Sequence, residues 1–512
     1  MPSEALALGE RERRLHPLSW LFLLLAQLRQ FALPLIALLL FGRSGDGAWW
    51  ESFGALGALL LAAHAVLQYF TYRFRISAGE LTIRSGVFQR SVRHIPLRRI
   101  QNVALRRTLL HRLAGVAEVR LESAAGSARA EAEMRVLSLA DAGALEALVR
   151  ASRDGAAAVP AAVPAAPLLS LPVAELVRLG LASNRGMVLV AAGLGALSQL
   201  RPPGLRRSLH DGTELLAEAA RGLVPPGPLA ALVGLVLLVV LVLLALRLLS
   251  VLLVLLRLYG FVLHEDGERL SVEAGLLTRR RGHAARGKVQ RWLVRDNLWL
   301  RLMHRRALRV ETAAVRQSGG DDADALTELV PIAPGERIDA LLARWLPRLG
   351  WPPEAWQPLH RSAWRRFALL PSLLTLVAAV PLLLRQGPAA AALAVALLLP
   401  LWLWRARALA RFSGWACDGT HLLWRSGWLE RHWHIVEVAR LQVLRVEQSP
   451  FDRRRGMASL LLDTAGAHPR HPPLRLRYLP EASARALAAQ LARQLARRTP
   501  ARDAAGDTDA AG

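Results

Sequence analysis

The chain has 512 residues, 53% of them hydrophobic, and a formal net charge of +26. Its mean hydropathy of +0.27 lies above that of a soluble protein, and the apolar residues collect in blocks between arginine-rich stretches, as in a polytopic membrane protein. Lys288 is the one lysine and the arginines are dispersed, with no recognition helix or aromatic-lined basic motif, which argues against nucleic acid; the single Cys417 excludes a disulfide framework and a thiolate metal cluster.

The N-terminal residues 1–17 carry Glu10, Arg11, Glu12, Arg13 and Arg14 and no small-residue cleavage site follows, so no signal peptide is expected. Six apolar segments then form three predicted membrane pairs. The first is 18–41 and 48–70, the second 175–200 and 228–257, the third 366–385 and 388–404. Each supplies the ~20 residues that cross ~30 Å of hydrocarbon as a helix. The arginine bias of the flanking regions places the N-terminus and the three large domains in the cytoplasm. Arg29, Asn184 and Arg185 interrupt the odd-numbered segments. Such groups are functional candidates inside a membrane, or arginines of amphipathic helix starts that snorkel to the headgroups.

After each pair comes the same pattern. Gly86, Gly275 and Gly427 are followed at one spacing by Gln101, Gln290 and Gln442, and then by Arg112, Arg301 and Arg453. The acids Glu122, Glu311 and Asp463 complete the register, and Leu110, Trp299 and Phe451 precede the arginines at one offset. These columns in ungapped register establish an internal repeat. Alternating segments around Gly79, Gly267 and Gly419 predict β-hairpins. Apolar stripes predict closing helices near 141–151, 335–346 and 481–497, the first through Leu145, Leu148 and Val149 and the second through Ile338, Leu341, Leu342 and Trp345. The expected fold class is membrane α-helical plus α+β. Each of three helix pairs precedes a small antiparallel β-barrel or sandwich of six or seven strands, capped by a helix.

The predicted organisation is an N-terminus at 1–17, membrane pairs at 18–70, 175–257 and 366–406, and β-rich domains at 71–152, 258–350 and 407–498. Linkers at 153–174 and 351–365 join them, and a disordered tail fills 499–512.

No phosphate-binding loop, nucleophile elbow, paired zinc motif or dinucleotide fingerprint appears. His432 and His434 lack an evident third metal ligand, Asp321, Asp322 and Asp324 read as a solvated loop, and His64 is thirteen residues from Glu51, the acid of its segment. Neither a cofactor nor a metal is expected. The repeated Arg112, Arg301 and Arg453 fit two readings: an ion pair to the acid ten residues on, or an anion contact beside the membrane helped by Arg90, Arg93, Arg98 and Arg99.

The hairpin leaving a membrane helix, the Ile95-Pro96-Leu97-Arg98-Arg99-Ile100-Gln101 step and the strand from Val116 to Glu122 resemble the bacterial pleckstrin-homology-like family. Three such units, with Arg14-Leu15-His16-Pro17 ahead of the first helix, resemble its YdbT type, whereas the YdbS type has one. The resemblance implies two nearly orthogonal sheets closed by a helix, and no chemistry. Ile-Pro-Leu becomes Ala284-Ala285-Arg286 and Val436-Glu437-Val438 in the later repeats, so the domains need not share a ligand. The expected function is a non-enzymatic scaffold or adaptor of the inner membrane, binding an unidentified protein partner, anionic lipid headgroups, or both. The alternative is a transport or export component whose six helices form the pathway. The oligomeric state is left open.

Overall fold

The computed structural model describes residues 13–14, 16–25, 27, 57, 63–64, 66–67, 69–77, 79–86, 90–97, 100–123, 132–154, 167–200, 228–312, 328–464 and 473–497. Most of the first predicted membrane pair lies outside them, as do the 201–227 connection, the 321–324 loop and the 499–512 tail. Arg29, Arg98 and Arg99 are outside as well. The chain divides into two units, Met1–His283 and Ala284–Gly512.

In the first unit, β1 (Arg13–Arg14), β2 (Arg73–Ser77), β3 (Glu80–Ser85) and β4 (Ser91–Pro96) form an antiparallel sheet in that order. Alternation decides which face is buried. Phe74, Ile76, Leu81, Ile83 and Ile95 enter the core, while Arg73, Arg75 and Glu80 stay exposed. Next come β5 (Ile100–Thr108), the short helix α1 (Leu109–Leu113), β6 (Val116–Ser123), β7 (Ala132–Ser138) and the helix α2 (Leu139–Asp154). Ile100, Val119, Leu121 and Leu137 pack with the first-sheet residues and with Ala142, Leu145 and Val149 of α2. A buried leucine or isoleucine contributes about 1.5–3 kcal/mol, so this core of two sheets and a helix carries the domain.

The chain continues through β8 (Leu169–Ser170), α3 (Val173–Ala182), α4 (Arg185–Leu200), α5 (Pro228–Leu258), β9 (Val262–Asp266), β10 (Arg269–Ala274) and β11 (Thr278–Ala285). The predicted single helix over 175–200 is therefore corrected to two helices, broken at Ser183 and Asn184. Local chemistry explains the break: the Ser183 hydroxyl accepts the Arg185 N–H at 3.3 Å, and serine and asparagine compete with helix propagation in this way. A close crossing with α5 fixes the position. A Cβ on Gly180 would lie 2.5 Å from Val251 Cα, and one on Gly186 2.5 Å from the Leu246 carbonyl.

The second sheet of this unit runs β7-β6-β5-β11-β10-β9-β8. It passes from the first repeat into the second through β5 and β11, with Leu105 opposite Arg281 and Thr108 opposite Thr278. The sequence pattern does not predict this continuity.

In the second unit, β12 (Val289–Asp296), the short helix α6 (Leu298–Leu302), β13 (Arg305–Thr312), β14 (Val330–Pro334) and α7 (Gly335–Trp345) precede β15 (Gln357–Pro358). The helices α8 (Ala363–Gln386) and α9 (Pro388–Phe412) form a hairpin around Gly387, at φ +88°. There Trp402 Nε1 donates to Thr375 Oγ1 at 3.0 Å. The last repeat adds β16 (Gly414–Cys417), β17 (His421–Gly427), β18 (Arg431–Glu437), β19 (Leu441–Glu447), the short helix α10 (Pro450–Arg453), β20 (Met457–Thr464), β21 (Leu474–Pro480) and α11 (Glu481–Ala496). Leu422, Trp424, Val436, Leu460, Leu476 and Leu487 lie in its core, with Leu359 and Ala363 entering from the start of the α8–α9 hairpin.

Again one sheet crosses a repeat boundary: β14-β13-β12-β18-β17-β16-β15, with Val294 opposite Trp433. The remaining sheet is β19-β20-β21. The predicted linkers 153–174 and 351–365 and the predicted N-terminal segment need revision, because β8, β15 and β1 lie inside them. Two-residue strands are too short to leave a periodic signal.

Among the described residues, three helical stretches are long and apolar enough to cross a membrane: Leu232–Leu258, Ala363–Gln386 and Pro388–Phe412. Arg185–Gly195 is a shorter apolar stretch.

Candidate functional site

The three repeated arginines occupy one local motif. Each of α1, α6 and α10 is a single turn opened by a capping side chain. Thr108 Oγ1 accepts from His111 N–H at 3.4 Å, Asn297 Oδ1 from Leu300 N–H at 2.8 Å and Ser449 Oγ from Asp452 N–H at 3.2 Å. Arg112, Arg301 or Arg453 stands at or near the end of the turn. The chain then reverses through a left-handed residue: Gly115 at φ +67°, His304 at +53° and Gly456 at +64°.

Arg112 Nη1 donates to the Leu276 carbonyl at 3.3 Å. Arg301 Nη2 donates to the Trp428 carbonyl at 3.4 Å and the Leu429 carbonyl at 3.2 Å. Leu276 and Trp428 are equivalent, each following the repeated glycine. The arginine of one repeat therefore holds the hairpin turn of the next. Only glycine fits at that turn: Gly275 and Gly427 have φ +121° and +126°, and a Cβ would lie 1.9 Å from the Thr278 carbonyl or 2.0 Å from the Glu430 carbonyl.

Of the two readings of Arg301, the ion pair with Glu311 is not formed. Arg301 pairs with Asp296 at 3.0 Å, and Glu311 pairs with Arg291 at 3.3 Å. Strand register is the cause: Arg291 and Glu311 are directly opposite on β12 and β13, whereas Arg301 lies on the intervening turn. Asp463 Oδ1 accepts the Thr464 N–H at 2.9 Å, and Arg453 is exposed.

These turns lie beside the apolar helices. Gly275 N–H donates to the Tyr259 carbonyl and Leu276 N–H to the Leu256 carbonyl, at 2.9 and 3.0 Å, which ties the turn to the end of α5. Trp428 meets Trp404 of α9 edge-on at 5.0 Å. Large apolar side chains are exposed around the arginines: Leu110 and Leu113 on α1, Leu276 and Leu277 on the turn, Trp299 and Leu302 on α6, Leu429, and Phe451 on α10. Exposed leucine and aromatic residues gathered around an arginine mark an interaction surface for a protein or a membrane.

At the break between α3 and α4, Arg247 Nη1 donates to the Leu181 carbonyl at 3.1 Å, the Ser183 carbonyl at 3.0 Å and Asn184 Oδ1 at 3.1 Å. Gly186 N–H donates to Ser250 Oγ at 2.8 Å. The backbone groups freed by the break thus find partners on α5. The sequence reading named Asn184 and Arg185 but missed Arg247, whose signal is that it ends the charge-free run Pro228–Leu246, ~28 Å of helix.

Arg90 and Arg93 are exposed at the margin of β4. His432 and His434 have ring centroids 6.2 Å apart on β18. Burial, followed by the charges of Arg291, His432 and Arg295, holds His434 well below the usual imidazole range. No group of three metal-ligating side chains occurs among the described residues.

The model of the bacterial PH domain family matches residues 21–153, 224–345 and 369–495, more than half of the chain. Neither a curated protein nor a solved structure matches it. The three matches span the columns of the internal repeat. The chain belongs to the bacterial PH domain family and carries that domain three times.

Proposed function

We propose that the chain is a non-enzymatic, multi-pass protein of the inner membrane, with six helices in three pairs in the YdbT-type arrangement. Its PH-like domains stand on the cytoplasmic side as a scaffold that binds anionic lipid headgroups and protein partners. The observation that carries this reading is the arginine-and-apolar patch found in each unit, tied to the end of α5 in the first and to Trp404 of α9 in the second. Leucine, tryptophan and phenylalanine side chains suit the acyl boundary, while each arginine near an anionic leaflet contributes about 1 kcal/mol.

The test is lipid retention by the intact protein in mild detergent, after extraction from bilayers of equal phosphatidylglycerol and phosphatidylcholine. Enrichment of phosphatidylglycerol that falls in Arg453→Gln supports the reading. Equal retention of both lipids refutes headgroup recognition, and a reporter after Gly512 active outside the cytoplasm refutes the orientation. The broken helix α3–α4 favours a second reading as a transport component, because discontinuous helices often mark substrate pathways. That reading requires Arg247→Met to abolish flux in cells while the protein stays folded.

A further inference from the structure

Two strand edges are left open where the fold elsewhere joins repeat to repeat. β5 of the first repeat pairs with β11 of the second, and β12 of the second pairs with β18 of the third. Both junctions use one register. Leu105 stands four residues after Gln101 and faces Arg281, six after Gly275; Val294 stands four after Gln290 and faces Trp433, six after Gly427. The strand that begins this series is β4, and the strand that ends it is β19. Among the described residues each has a single neighbour, β3 and β20 respectively.

We propose that β19 of one copy pairs antiparallel with β4 of a second copy of this chain, in the register already used twice within it. Transferring that register places Val446 opposite Val92, Glu447 opposite Ser91 and Leu444 opposite His94.

Exposure marks the uncovered edge. On β12, which β18 covers, Val294 is 0% exposed and Arg291 5%; the equivalent β19 residues Val446 and Val443 are 40% and 47% exposed. Val92 on β4 is 51% exposed. The Val446–Val92 pair would cover two of these side chains at once, and adjacent β-branched residues stabilise cross-strand pairs. The one like-charge pair, Arg445 with Arg93, has precedent: the β5–β11 junction sets Arg107 opposite Arg279 and Arg106 opposite Arg280. A second element repeats as well. Arg112 and Arg301 each hold the glycine turn of the following repeat, and the exposed Arg453 would hold the turn at Gly86, whose φ of +117° matches its counterparts.

The occupant is a second copy because the edges are the two ends of one repeating junction. An interface of this kind is head-to-tail, so it closes a ring or extends a filament. The inference rests on the strand edges and the repeated arginine contact, and strand-to-strand trapping reads it apart from headgroup binding.

The test is disulfide trapping in native membranes, in a Cys417→Ser background. One tagged form carries Val92→Cys and a differently tagged form carries Val446→Cys, expressed together. Residues directly opposite on paired strands lie ~4.5–5.5 Å apart at Cα, within disulfide reach. The expected result is a mixed dimer roughly tenfold more abundant than with Arg445→Cys in place of Val446→Cys, whose side chain points to the other face. Adding Arg453→Gln should lower the yield several-fold. No mixed dimer from proteins with unchanged melting temperature overturns the proposal, as does equal trapping at Arg445→Cys. A link found only within one doubly substituted chain overturns it too.

Discussion

Arg291 and Glu311 form an ion pair at 3.3 Å in the middle of a sheet, 5% and 6% exposed. Changing Glu311 to Leu leaves a guanidinium buried without its counter-charge, and such a loss costs about 3–5 kcal/mol. Changing both residues removes the desolvated charges together, and the hydrophobic replacement of a whole buried pair is often close to neutral. The third repeat has valine at the first of these columns, Val443, so the strand itself accepts an apolar side chain there. The expected order of stability is therefore wild type and Arg291→Val/Glu311→Leu close together, with Glu311→Leu alone well below both. Thermal melting of the detergent-solubilised protein, followed by loss of soluble protein, reads the order for all four members of the cycle. A double variant as unstable as the sum of the single changes would refute the argument, because it would mean that packing and not charge sets the cost.

His304 holds a left-handed conformation that glycine occupies in the other two repeats. His304→Gly should raise stability by about 0.5–1 kcal/mol, the left-handed cost less the entropy of glycine, visible as a higher melting temperature. The pKa of His434 is lowered in the fold, so the unfolded chain takes up a proton first. Stability should then fall as pH drops below the ordinary imidazole value near 6.5, by up to about 1.4 kcal/mol per unit for one proton. His434→Phe should flatten the acid side of a melting-temperature profile, and an unchanged profile would refute the assignment. Arg247→Met should leave the carbonyls of Leu181 and Ser183 without that donor and speed protease cleavage near Ser183.

The repeat was legible because strand alternation and column spacing are properties of neighbouring residues. Phe74, Ile76, Leu81 and Ile83 announce their buried face, and Leu145 and Val149 announce the closing helix. The break at Ser183 was hidden because hydropathy averages over a helix end whose flanks are both apolar. The choice between the two readings of Arg301 is hidden for a related reason: the acid ten residues on lies on a strand whose opposite position belongs to Arg291. The β5–β11 and β12–β18 junctions left no local trace, since each strand carries the same pattern whichever neighbour it has.

The two-residue strands β1, β8 and β15 each pair with the first strand that follows a predicted membrane pair: β1 with β2, β8 with β9 and β15 with β16. Under the proposed topology the chain leaves a sheet, crosses the membrane twice and returns to the same sheet. A pair that inserted only one of its helices would deliver the returning strand to the opposite side of the bilayer, where its partner is absent. Closure of each of these three short ladders is thus a checkpoint on biogenesis, completed only after both helices have crossed in the correct sense.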